Sequence, residues 1–81
     1  LEKTLWTTEN QKLLVLLKQV RLEAGLRQWE IAEKINEPQS FVSKYELGER
    51  RLDLVELKMI CAAIGIPIIE FIRRYEEIDK P

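Results

Sequence analysis

Histidine is absent from this sequence of 81 residues, and cysteine occurs once, at Cys61. Those two gaps remove the commonest metal ligand, the commonest general base and any internal disulfide. No serine sits in a recognisable nucleophile–base arrangement and no glycine-rich loop offers to cradle phosphate. The chain is therefore read as a non-enzyme with no cofactor and no metal; Glu76 and Glu77 read as solvated carboxylates on a charged terminal stretch. Long apolar runs are missing too. "LLVLL" (Leu13–Leu17) falls far short of the roughly 20 residues needed to cross a bilayer, and its polar flanks do not suit a signal peptide. No membrane association is expected. Charge of one sign is also lacking, with 13 basic residues against 14 acidic and a formal net charge of −1. This counts mildly against nucleic-acid binding, but what matters is where charge sits rather than its sum. Cys61, inside "MICAAIGI", reads as a small buried hydrophobe, in keeping with a reducing cytoplasmic setting.

What is present is an apolar fraction of 46% beside 33% charged residues. That is enough for one domain over residues 1–81 with one modest core. Every long segment reads as helix. In "TTENQKLLVLLKQVRLEAG", Thr8 and Gln11 have capping-box spacing, Leu13, Leu16, Leu17 and Val20 share a face, and Gly25 is a stop. A short helix over Gln28–Ile35 turns Ile31, Ala32 and Ile35 inward. Asn36 tolerates a left-handed backbone, Pro38 suits the first turn of a third helix, and Gly48 breaks that helix after about Leu47. Asp53 with Glu56 starts a fourth helix carrying Leu54, Leu57, Ile60, Cys61 and Ile64. Gly65 ends it, and Pro67 opens a fifth helix through about Glu77. The expected class is all-α, five short helices around one core.

The stretch "RQWEIAEKINEPQSFVSKYELGERR" (Arg27–Arg51) carries the functional signal. Two short helices joined by a tight turn cross steeply only when the crossing residue is small and the turn residue accepts φ > 0. Ala32 and Asn36 meet those conditions. Ile31, Ile35, Val42 and Tyr45 supply the apolar positions that knit the pair to the rest.

With "R-x-x-x-G-L-x-Q", "x-I-A-x-K-I", "P-Q-S-F-V-S-K-Y-E-x-G-E-R-R" and "L-x-x-I-C-x-A-I-G-I" in place, Val20–Ile66 resembles the lambda-repressor-like, Xre-type helix-turn-helix family. The resemblance implies a five-helix DNA-binding domain with the motif at about 28–47, as found in bacterial and phage transcription regulators. Three positions depart from the family's habit. Arg27 replaces a Thr or Ser cap, Trp29 stands where a polar residue is usual, and Leu47 precedes Gly48 where a small or polar residue is common.

A helix fits the major groove, where every base pair shows its own donor and acceptor pattern. The outer face of the third helix offers Gln39, Ser40, Ser43 and Lys44 to base edges, and Phe41 near that edge suits a thymine methyl. Arg27, Gln28, Arg50 and Arg51 are expected on phosphates. The resemblance further implies that Gln28 bonds a neighbouring recognition-helix residue. It also implies that Arg21 and Glu46 form a structural ion pair between the first and third helices. Pairing of the "ERR" arginines with Glu49 or Asp53 is the plainer alternative, and Glu30, Glu33 and Glu37 weaken DNA affinity if they face the same way.

In the fifth helix Ile68, Phe71, Ile72 and Tyr75 form a core stripe, which Ile69 and Ile78 widen. Surplus apolar surface there predicts a homodimer through Ile69, Ile72 and Ile78, unless Leu5 and Trp6 cover it. A dimer places two recognition helices about 34 Å apart on a palindromic operator in double-stranded DNA. The expected function is a sequence-specific regulator, a repressor by family habit. The rival is a protein-interaction module on the same fold, such as an antitoxin or adaptor with a protein partner, marked by an exposed Trp29–Leu47 patch.

Overall fold

In the computed structural model, which describes residues 7–78, the helices are α1 (Thr8–Glu23), α2 (Gln28–Lys34), α3 (Gln39–Glu46), α4 (Leu54–Ile64) and α5 (Ile68–Glu77). The described residues contain no strand. Leu5 and Trp6, expected as a cover for α5, lie outside the described residues.

The helix starts follow from local chemistry, with adjustments. The cap of α1 is Thr7 rather than Thr8, its hydroxyl accepting the Asn10 N–H at 3.1 Å. At α4 the expected reciprocal box forms: Asp53 accepts the Glu56 N–H and Glu56 accepts the Asp53 N–H. Pro38 and Pro67 sit one place earlier than a first-turn proline, as the N-caps of α3 and α5.

The first four helices close by one shared device. In each, a left-handed residue follows the helix and the next N–H donates five residues back, as Glu37 does to Ala32 and Glu49 to Lys44. This satisfies carbonyls that the helix leaves open. Three of those left-handed residues are glycines and the fourth is Asn36 at φ 59°. Asn36 makes the turn between α2 and α3, where a β-branched residue would be strained.

Each helix contributes a fully buried side chain to one core: Leu17, Ile31, Val42 with Tyr45, Ile60 with Cys61, and Phe71. Each such burial contributes about 1.5–3 kcal/mol. Burial pushes the Cys61 thiol up to about 11, so it stays protonated and inert at neutral pH. Leu14 is buried on α1 beside Leu16, Leu17 and Val20, Leu13 packs partly buried against the same core, and Leu54 is 67% exposed. As the first residue of α4, Leu54 projects before the helix has reached its neighbours. α2 packs closely on α3, α1 braces α3 and α5, and α4 lies against α2 and α5. The outer side of α3 is left uncovered.

Candidate nucleic-acid interface

Three segments meet on one carboxylate. Glu46, the last residue of α3, accepts Arg21 Nε on Oε2 at 2.7 Å, with Arg21 Nη2 at 3.1 Å and Gln28 Nε2 at 2.9 Å on Oε1. Arg21 Nη1 also donates to the Leu26 carbonyl at 2.8 Å. The two charged side chains are only 8% and 5% exposed. The ion pair therefore stands as the resemblance implied. Gln28 does bond α3, but at its far end rather than beside Gln39. One amide hydrogen remains on Gln28 Nε2, enough to donate to a phosphate oxygen.

Tyr45 and Val42 anchor α3 in the core and thereby fix which side faces out. Gln39, Ser40 and Lys44 are exposed, and Ser43 is half-buried. The sequence pattern puts Phe41 on this edge too, and the structure corrects that: it is 7% exposed, packed edge-on against Tyr45 with ring centroids 5.8 Å apart. Phe41, Val42 and Tyr45 share the covered side of α3, which leaves the Phe41 ring no way to face a base.

Arg50 has a partner that the sequence did not suggest. Its guanidinium lies 4.4 Å above the Phe41 ring and grips Glu56 through two bonds, Nη1–Oε1 at 3.1 Å and Nη2–Oε2 at 2.7 Å. Nη1 donates besides to the Arg51 carbonyl at 2.7 Å. The partner of the guanidinium is thus Glu56 rather than Glu49 or Asp53, and the Arg50 side chain stays 41% exposed. The Arg50 guanidinium, with the Asp53 N–H, holds the Glu56 carboxyl below the usual carboxylate range. The sequence marks Glu56 only as a helix-start residue, because nothing in the spacing of Arg50 and Glu56 signals a pair across a loop.

Lys12, Arg21, Arg50, Arg73 and Arg74 each have a carboxylate partner. Among the described residues, Lys18, Arg27, Lys34, Lys44, Arg51 and Lys58 have exposed side chains with no such partner; of these, Arg27, Lys44 and Arg51 lie at the start of α2, the last turn of α3 and the loop after it. The Arg27 side chain offers no acceptor to its helix; Glu30 instead accepts the Arg27 N–H at 2.7 Å. Glu33 and Glu37 are exposed on α2 and the turn. Trp29 and Leu47 are 48% and 64% exposed. Because Gln28 bonds Glu46, the helix ends that carry Trp29 and Leu47 are adjacent.

On α5, Ile69, Ile72 and Ile78 are all exposed. They do not form one patch, however. Ile78 follows Ile69 by about two and a half turns of helix and so lies on the opposite side, while Ile69 and Ile72 share a flank. None of the helices described is long and apolar enough to cross a membrane.

A pair of short packed helices joined by a tight turn, with the second presenting an uncovered polar face beside exposed cations, is the arrangement of a helix-turn-helix DNA-binding domain. The helix-turn-helix family model matches residues 17–71. An XRE-family like protein from Pseudomonas syringae pv. tomato str. DC3000 is 40% identical over 95% of this chain and 94% of its own, with a TM-score of 0.86. This chain belongs to the XRE-type helix-turn-helix family, whose members are DNA-binding regulators and not enzymes. A single-residue mutant of the restriction-modification controller protein C.Esp1396I is 28% identical, over 91% of this chain and 95% of its own, with a TM-score of 0.83. The controller's tetramer in complex with its natural 35 base-pair operator has the same fold, at 24% identity over 88% of this chain and 93% of its own, and a TM-score of 0.81. No curated protein sequence matches the chain.

Proposed function

We propose that the chain is a sequence-specific repressor of transcription that reads the major groove of double-stranded DNA with residues 38–47. The observation that carries this is the outer face of α3, where Gln39, Ser40 and Lys44 stand exposed between the unpaired cations Arg27 and Arg51. Gln39 suits adenine, Lys44 suits guanine, and Ser40 and Ser43 adapt to either neighbour. Arg27, Arg51 and the free amide hydrogen of Gln28 hold phosphates and set the register. Phe41 has no direct part in it, and Arg50, held by Glu56, keeps N–H groups free for a phosphate.

The working form is a homodimer on a palindromic operator in the cytoplasm, with the whole chain as one domain and residues 67–78 as part of the contact. Among the described residues, six of the ten exposed large apolar side chains lie on α4 or at α5: Leu54, Val55, Met59, Ile69, Ile72 and Ile78. Such concentration suits self-association. That the controller protein is found as a tetramer on its operator supports an oligomeric reader. Repression rather than activation rests on the usual habit of the family.

A second reading has its own observation. Exposed Trp29 and Leu47 border the DNA-facing side, and Leu47 also lines a cleft with Leu14 and Val15 of α1. That apolar border suits a protein partner, as in an antitoxin or adaptor. Selection from a random duplex pool separates the two. The regulator enriches a palindrome; an interaction module enriches nothing and binds every duplex weakly.

A further inference from the structure

The loop between α3 and α4 holds one of the exposed cations, Arg51, yet has no regular structure of its own. What fixes it is a closed circuit of contacts. Arg50 stacks on Phe41 of α3, donates to the carbonyl of Arg51, and is clamped at both guanidinium nitrogens by Glu56. Glu56 in turn accepts the Asp53 N–H at 2.9 Å, and Asp53 caps α4. Loop backbone, recognition helix and the start of α4 are thereby referred to one guanidinium. Arg51 has its carbonyl held inside this circuit and its side chain outside.

We propose that Arg50 and Glu56 form a latch that positions Arg51, so that DNA affinity depends on a carboxylate that itself repels DNA. The inference rests on the DNA-binding reading above and deepens it. The ion pair is partly exposed, so its own contribution to folding is small. Its effect lies in geometry, since a contact displaced by an ångström is largely lost. The carboxylate makes the test sharp. Charge alone predicts that removing a carboxylate beside a polyanion strengthens binding. The latch predicts the reverse.

Glu56→Gln keeps an oxygen for the Asp53 N–H while weakening the clamp on Arg50. Anisotropy titration of the selected duplex with the full chain should show affinity falling about three- to tenfold at fixed salt, part of one charged phosphate contact. The salt slope should flatten by up to about one unit, and the thermal midpoint should barely move. In the Arg51→Ala background, Glu56→Gln should add no further loss, since both act on one contact. Arg50→Lys, which keeps the charge but not the fork or the stack, should reproduce the loss if Glu56→Gln proves poorly folded. Wild-type affinity or tighter in a folded Glu56→Gln or Arg50→Lys variant overturns the latch, as does full additivity with Arg51→Ala. A wild-type chain that selects no duplex fails at the earlier step, and overturns the DNA reading and the latch together.

Discussion

At the scale of single residues, Glu46 shows how one buried charge organises a surface it does not belong to. It satisfies both oxygens with Arg21 and Gln28, and so ties the end of α3 to α1 and to the start of α2. Glu46→Ala leaves the Arg21 guanidinium buried without a counter-charge, a loss of about 3–5 kcal/mol. For a domain of this size that lowers the thermal midpoint by at least about 10 °C. Circular dichroism melting checks it; a midpoint within a degree or two of wild type would show that solvent replaces the pair at no loss. Arg51 should behave in the opposite way. Arg51→Ala should leave melting unchanged, weaken all duplexes about equally and flatten the salt slope by roughly one unit. A sequence-selective effect would place Arg51 on a base instead. The pair Arg21–Glu46 was legible through family resemblance, whereas the inward turn of Phe41 and the Arg50–Glu56 clamp were not. Phe41 lies one position from Val42 on the helix, and periodicity alone does not decide which residues at the edge of an apolar face are covered. That depends on Arg50 closing over the ring, a contact across a loop with no repeat in the sequence.

At the scale of elements, the chain is organised by its ends. Helices as short as α2 and α3 are not stable alone, and they stop where a left-handed residue lets the next N–H return to the helix. Asn36 does this between the two helices of the motif. Asn36→Val should destabilise by about 1–2 kcal/mol, while Asn36→Gly should be neutral or slightly stabilising. Equal melting of the valine variant and wild type would mean that the turn relaxes to another conformation. These ends were readable to within a residue because caps and stops act within a few positions of chain. The direction of side chains at helix starts was less so: Leu54 fits the apolar period of α4 yet lies outside, since only the packing of α4 on α2 and α5 determines where its covered face begins.

At the scale of the whole molecule, the core uses side chains from all five helices and still leaves a band of exposed apolar residues on α4 and α5. Helical spacing foretold surplus surface on α5, but the expected patch of Ile69, Ile72 and Ile78 divides between opposite sides of the helix. Ile69, at 79% exposure, is the clearest test. Ile69→Glu should give a folded monomer by sedimentation, with affinity for a two-half-site duplex reduced by about a hundredfold or more as bivalent engagement is lost. A dimer that survives this change would place self-association elsewhere. The near-neutral total charge counts less against DNA than where charge sits: Arg27, Lys44 and Arg51 stand exposed beside the motif, while Lys18, Lys34 and Lys58 stand elsewhere.

The central claim is that α3 reads bases, and Gln39, exposed in its first turn, is the residue best placed to do so. The measurement that tests it most directly is titration of wild type and Gln39→Ala against the selected duplex and its single base-pair variants. The account predicts that Gln39→Ala loses about 1–3 kcal/mol on the selected site and loses preference at one symmetric position only. Unchanged affinity together with unchanged preference at every position would contradict it.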